Sequence, residues 1–274
     1  MAVGEAPGPL LALAGVGRHF GGIQAVESLN LDVPPGIVFG LIGPNGAGKT
    51  TVINLISGLL KPTTGTMTFD GRAVHGDAAY RVAQRGITRT YQNIRLFKTL
   101  TALENVLIGL HHTRPDDLLG RLVFLPAARA EGERARTRAR ALLADVGLAG
   151  KDTVPAGSLP YGDQRRLEIA RGLATNPRLL LLDEPAAGMP FAETAHLMDL
   201  IRSLPGRGVT VLLVEHNMHL VMNVCDRIAV LNFGRKIAEG TPAEIGRDPR
   251  VIEAYLGAED ANPPDVAPGQ ERSA

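Results

Sequence analysis

The eight residues Gly43-Pro44-Asn45-Gly46-Ala47-Gly48-Lys49-Thr50 constrain this chain more than any other segment. They satisfy the pattern G-x-x-x-x-G-K-[ST], between the apolar run Ile37 to Ile42 and the helix-forming run Thr51-Val52-Ile53-Asn54-Leu55-Ile56. A strand that hands such a loop to a helix N-terminus curls successive backbone N–H groups around one centre. The fold must therefore present a phosphate-binding turn. On this reading Gly43, Asn45, Gly46, Ala47, Gly48, Lys49, Thr50 and Thr51 surround the phosphates of a nucleotide. Lys49 adds a cation and Thr50 offers its hydroxyl to Mg2+. A chance glycine-rich turn is the alternative, and the flanking strand and helix argue against it.

A second signal lies far downstream, where the apolar strand Leu179-Leu180-Leu181-Leu182 ends in Asp183-Glu184-Pro185. Carboxylates at the carboxyl end of a parallel strand stand where ligands bind in α/β sheets. Asp183 is expected to hold Mg2+ and Glu184 to act as general base on the attacking water. Short Val/Ile/Leu runs such as Val209 to Val214 alternate with helical patterns, which predicts an α/β fold with a buried, largely parallel sheet. The stretch from about Ala102 to Leu148 lacks a strand pattern, and Ala135, Ala139, Leu142, Leu143 and Val146 recur there at helical spacing. This predicts an inserted helical subdomain, over approximately 93–172.

Composition narrows the partners. Twenty-nine basic against 28 acidic residues leave a formal net charge of +1, so no global field points to nucleic acid. The Arg134, Arg136, Arg138, Arg140 stripe is interleaved with Glu131 and Glu133, as on a solvated helix face. A nucleic-acid partner is not expected. Cys225 is the single cysteine and reads as a buried, inert thiol. Leu10 to Val16 is better explained as a first strand than as a signal peptide, because Glu5 and no Lys or Arg precede it. No apolar run reaches the ~18 residues that a membrane helix needs. Residues 1–9 and the proline-containing tail 258–274 are expected to be flexible, on either side of one domain over 10–257.

Three further pieces occur in a set order. Tyr91-Gln92 follows the run Ile87 to Thr90; Leu159-Pro160-Tyr161-Gly162-Asp163 precedes Gln164-Arg165-Arg166-Leu167-Glu168-Ile169-Ala170-Arg171; and Val214-Glu215-His216 ends a strand. With the two nucleotide motifs, this order resembles the ATPases of ABC transporters over nearly all of Leu11 to Gly257. The resemblance implies a P-loop NTPase core with an antiparallel β region and an inserted α-helical subdomain, using ATP and Mg2+. It implies that Phe20 stacks on adenine, that Val26 lines the same edge, and that Gln92 contacts Mg2+ and the γ-phosphate. His216 becomes a switch histidine with a catalytic role. Gly162 caps the ATP held by a facing subunit, so a second ABC ATPase, identical or different, completes each site. Asn93 to Phe97 and the helix Ala102 to His111 become a docking surface for transmembrane permeases.

Three positions depart from the commonest ABC pattern. Pro160-Tyr161 replace Ser-Gly in the signature, Asp163 replaces its Gln, and Pro190 stands where the D-loop usually has Asp. A missing serine hydroxyl removes one hydrogen bond to phosphate, worth roughly 1.5–3 kcal/mol when charge-assisted. The same details, with Glu184-Pro185-Ala186-Ala187-Gly188 and the ending Asp248 to Gly257, resemble the ATPase subunits of branched-chain amino-acid importers. That resemblance implies a peripheral place on the cytoplasmic face of the membrane and an indirect partnership with an extracytoplasmic solute-binding protein. ATPases of urea-type importers or lipid exporters, and soluble non-transport ABC ATPases, are the alternatives.

Overall fold

The computed structural model describes residues 8–111 and 126–259. The expected flexible ends therefore lie, for residues 1–7 and 260–274, outside the described residues. Two sheets organise the chain. The first is antiparallel, in the order β2-β1-β4-β5, from β1 (Leu11–Phe20), β2 (Ile23–Val33), β4 (Thr64–Phe69) and β5 (Arg72–Ala73). The second runs β10-β9-β3-β8-β7-β6, from β3 (Val38–Ile42), β6 (Ile87–Arg89), β7 (Leu179–Asp183), β8 (Thr210–Val214), β9 (Arg227–Asn232) and β10 (Arg235–Gly240). Only β10 is antiparallel to its neighbour; the other pairings are parallel. The predicted buried parallel sheet and the antiparallel region are both present.

Strand periodicity divides the core in two. Phe39 and Leu41, Leu179 and Leu181, Leu212 and Val214, and Ala229 and Leu231 face the antiparallel sheet and the helix α1 (Lys49–Ile56). The alternate residues Val38 and Ile42, Leu180 and Leu182, Val211 and Leu213, and Ile228 and Val230 face the other helices. Both faces of the sheet are covered, which is why its strands read as unbroken apolar runs rather than alternating ones. Each fully buried Leu, Ile or Val contributes about 1.5–3 kcal/mol relative to exposure.

After α2 (Ala79–Gln84), the helical insertion comprises α3 (Ala102–His111), α4 (Pro126–Asp145) and α5 (Tyr161–Ala174). Ala139, Leu143 and Val146 are buried against α3 and α5, as their spacing predicts. Arg134, Arg136, Arg138 and Arg140 are exposed; Arg140 reaches Asp152 at 3.2 Å and Arg136 reaches Glu133 at 3.9 Å. α6 (Phe191–Ser203), α7 (Met218–Val224), α8 (Pro242–Ile245) and α9 (Pro249–Glu259) complete the chain. No helix among the described residues is long and apolar enough to cross a membrane.

Candidate active site

The phosphate motif turns between β3 and α1. Two glycines are obligatory in that turn. Gly43 has φ 152°, and a Cβ there would meet the Leu231 carbonyl oxygen at 2.1 Å; Gly48 has φ 101°, and its Cβ would meet the Ala25 carbonyl at 2.5 Å. Ala47 N–H closes the turn on Pro44 O (3.2 Å), and the first bond into α1 runs from Val52 N–H to Gly48 O (3.0 Å). The amides of Lys49, Thr50 and Thr51 thus belong to a first helical turn with no intrahelical acceptor, and no side chain caps them. Asn45, Gly46 and Thr50 are exposed around this rim, while Ala47 is buried.

Lys49 is only 7% exposed, and its Nζ donates to the carbonyls of Gly43 (2.7 Å) and Pro44 (2.9 Å). Burial pulls its pKa below the ordinary lysine value, opposed by the nearby carboxylates of Glu184 and Asp183. The cation is therefore held inside the loop, close to both acids.

Asp183 and Glu184 arrive on β7, next in the sheet to β8, which lies beside β3. Asp183 is 6% exposed. Glu184 has φ 46°, a left-handed conformation that costs a non-glycine residue energy and that clusters at functional sites. Its carboxylate accepts a hydrogen bond from Gln92 Nε2 (2.8 Å) and lies 3.7 Å from His216 Nδ1. Gln92, Glu184 and His216, 124 residues apart in sequence from first to last by number (216 − 92), meet at one point. A glutamine that donates its amide to Glu184 keeps its amide oxygen turned to other partners.

The signature segment opens α5. Pro160 caps it without a side-chain hydrogen bond, and the first bond into the helix runs from Gln164 N–H to Pro160 O (2.9 Å). Gly162 is buried, and a Cβ there would fall 1.9 Å from Glu193 Oε2. Glu193 and Met189 of the same chain thus leave no room for a side chain at position 162. Asp163, 5% exposed, pairs with Lys151 and Arg166. It ties the insertion together rather than addressing a ligand.

Phe20 sits at the end of β1, 42% exposed, with the Arg18 guanidinium 4.7 Å from its ring centre. Val26, expected on the same edge, is fully buried in the core beneath the antiparallel sheet. It supports the phosphate loop, since its Cγ2 would touch a Cβ on Gly48 at 3.6 Å. The reason is register: Val26 pairs with Arg18, and its side chain turns inward.

Several site residues had no motif to announce them. Arg89 Nη2 pairs with Asp183 Oδ2 at 2.7 Å, each side chain 8% exposed, and its Nη1 reaches Asn54 Oδ1 on α1 at 2.6 Å. Glu215, fully buried, accepts the N–H groups of Ala186 (2.9 Å), His216 (3.1 Å) and Asn217 (3.3 Å), so one carboxylate fixes the loops after β7 and β8. Asn105, also fully buried, bonds the backbone of Phe97 in both directions. The only available hint was a charged or amide residue inside an apolar stretch.

Residues 26–187 match the ABC transporter family, and residues 235–261 match the branched-chain amino acid ATP-binding cassette transporter family. The chain is 46% identical over 250 residues to the high-affinity branched-chain amino acid transport ATP-binding protein BraF of Pseudomonas aeruginosa, covering 91% of this chain and 98% of that one. A nucleotide-free ATP-binding cassette from an ABC transporter superposes with a TM-score of 0.78 at 31% identity, over 90% of this chain and 98% of that chain. A bacterial ABC transporter cassette solved as a dimer superposes with a TM-score of 0.72 at 28% identity, over 85% and 98% of the two chains.

Proposed function

Because the chain belongs to the ATP-binding proteins of ABC transporters, we propose that it energises the uptake of branched-chain amino acids from the cytoplasmic face of a membrane. It binds ATP and hydrolyses it to drive transport, as proteins of this family do. The cargo rests on the family match at residues 235–261 and on the full-length likeness to BraF, which favour amino-acid import over urea uptake or lipid export.

One observation carries the chemistry: Gln92, Glu184 and His216 converge beside a loop whose Lys49 already senses Asp183 and Glu184. In this reading the loop amides and Lys49 take the phosphates of ATP, and Phe20 stacks on the base. Glu184 removes the proton of the attacking water, His216 orients Glu184 and the γ-phosphate, and Gly162 of a facing ATPase caps the same phosphate. The residues fit Mg2+: the Thr50 hydroxyl, the Asp183 carboxylate and the Gln92 amide oxygen are hard oxygen donors. The metal, when bound, neutralises the charge of the phosphates. Permeases dock beside Phe97, 50% exposed, and the partly buried Leu96. A solute-binding protein delivers cargo on the far side.

The test is uptake into proteoliposomes that hold the chain with its cognate permeases and partner ATPase, supplied with the binding protein. ATP-dependent accumulation of leucine, isoleucine or valine that disappears with Lys49→Ala is expected. ATP-dependent movement of urea or lipid without amino-acid uptake overturns the cargo. Turnover that survives Lys49→Ala overturns the site.

A further inference from the structure

Among the described residues, Arg165 is the largest side chain wholly withdrawn from solvent. A buried guanidinium is costly unless its protons find acceptors, so what it binds shows what it holds in place. Its two shortest contacts are to consecutive peptide carbonyls: Nη1 donates to Tyr91 O and Nη2 to Gln92 O, both at 2.7 Å. Nη1 also reaches Glu168 Oε2 (3.1 Å), and Nη2 reaches the Tyr161 hydroxyl (3.2 Å). That hydroxyl in turn donates to Ala187 O (3.0 Å), and Ala187 N–H donates to Glu184 O (3.1 Å).

Both ends of the Gln92–Glu184 contact are therefore tied to α5. Arg165 grips the backbone of Gln92 directly, and Tyr161 grips the segment that carries Glu184. Tyr161 and Arg165 stand one turn apart on the helix that begins at the signature. The residue that departs from the usual signature pattern at position 161 supplies one of the two ties.

We propose that Arg165 is a positioning residue that registers Gln92 against Glu184, with Tyr161 as its second anchor, so that movement of α5 resets the chain's own catalytic contact. The inference rests on the assignment of Gln92 and Glu184 above. It gives the two shared sites of a dimer a mechanical link: the helix that meets the neighbour's ATP also sets the glutamine that attends this chain's ATP. A guanidinium is needed because only a planar fork reaches two adjacent carbonyls at once; an ammonium binds as a point charge.

The experiment measures kcat and KM for ATP in the assembled transporter for Arg165→Lys, Tyr161→Phe, Gln92→Ala and the double variant Arg165→Lys/Gln92→Ala, with melting temperatures. Arg165→Lys is expected to lower kcat by roughly 10- to 100-fold, as misplacement of a catalytic group by about 1 Å does, with KM little changed. Tyr161→Phe should lower kcat by a few-fold, again without a KM effect. The double variant should be no slower than Gln92→Ala alone, because the Gln92–Glu184 contact that Arg165 sets is already gone. Full kcat in both single variants, or a double variant whose losses multiply, overturns the proposal. If Arg165→Lys does not fold, Tyr161→Phe decides on the same criterion. Glu184→Gln serves as the control: if it turns over ATP normally, the catalytic assignment itself has failed. If it is inactive while Arg165→Lys and Tyr161→Phe are unimpaired, only the positioning role has.

Discussion

Arg89 and Asp183 form an ion pair of 2.7 Å between neighbouring strands of the main sheet, each side chain 8% exposed. The guanidinium also reaches Asn54 on the helix behind the phosphate loop and lies 5.0 Å from the Tyr91 ring centre. One cation thus joins the phosphate helix, the carboxylate proposed for Mg2+ and the segment leading to Gln92. Arg89→Met leaves a buried carboxylate without its partner, and a loss of about 3–5 kcal/mol in denaturant unfolding is expected. Saturating Mg-ATP should shrink that difference, because a dication bound by Asp183 replaces the missing charge. A variant as stable as the parent without nucleotide would show that the pair contributes nothing.

Glu184→Gln keeps the shape of the side chain and leaves Asp183 untouched. ATP binding should persist while hydrolysis falls by roughly 10²–10⁴, the range for losing a positioned general base. With hydrolysis blocked, light scattering in Mg-ATP should report a dimer, with a second copy or with the partner ATPase, that separates in Mg-ADP. Gly162→Asp should abolish this dimer. Because any side chain at Gly162 collides with Glu193 of the same chain, the substitution is repeated with Glu193→Ala. Dimer loss that persists there belongs to the interface, and recovery assigns it to the internal clash.

Lys49→Ala should abolish tight ATP binding and turnover. The structure adds a cost that a surface lysine would not carry. Lys49 donates to two carbonyls of its own loop, and losing them should lower unfolding stability by about 1.5–3 kcal/mol. Nucleotide titration and denaturant unfolding on one preparation separate the two effects; near-native ATP affinity would remove the phosphate-loop assignment.

Cys225 is buried, and burial pushes its thiol up to about 12, helped by the negative charges of Asp226 and Glu215. Since the thiolate is the nucleophile, the native protein should resist alkylation at pH 8 and react faster as pH rises toward that value. Unfolding should release one rapidly reacting thiol at any of these pH values. Prompt labelling of the folded protein at pH 8 would contradict the burial. The same packing predicts that Gly40→Ala destabilises the sheet, because its Cβ would lie 2.9 Å from Cys225 Sγ.

What the sequence disclosed and what it withheld follow from the range of the forces involved. The phosphate loop was legible because its strand, turn and helix are contiguous, and Asp183-Glu184 because they end an unmistakable apolar strand. The inserted helices were legible from the spacing of Ala139, Leu143 and Val146. Arg89 was not, since its partner stands 94 residues away and the meeting depends on β6 lying beside β7. Arg165 and Glu215 were hidden for the same reason: each satisfies backbone groups of distant loops. The burial of Val26 was not legible because the register of β1 with β2 decides which way it points. At Tyr161 and Asp163, sequence comparison registered lost groups; the structure shows that both side chains have taken up other bonds within the chain.

The order of strands also times the birth of the site. The strand that carries the phosphate loop, ending at Ile42, takes one neighbour from Thr210–Val214 and the other from Arg227–Asn232. A ribosome adds residues at about 5–20 per second, so the 190 residues from Ile42 to Asn232 (232 − 42) occupy roughly 10–40 s. Until Val214 is added the motif's strand has neither partner, and until Asn232 it lacks the second. A transcript cut short before Asn232 therefore leaves at least one edge of that apolar strand open for chaperones or proteases to find.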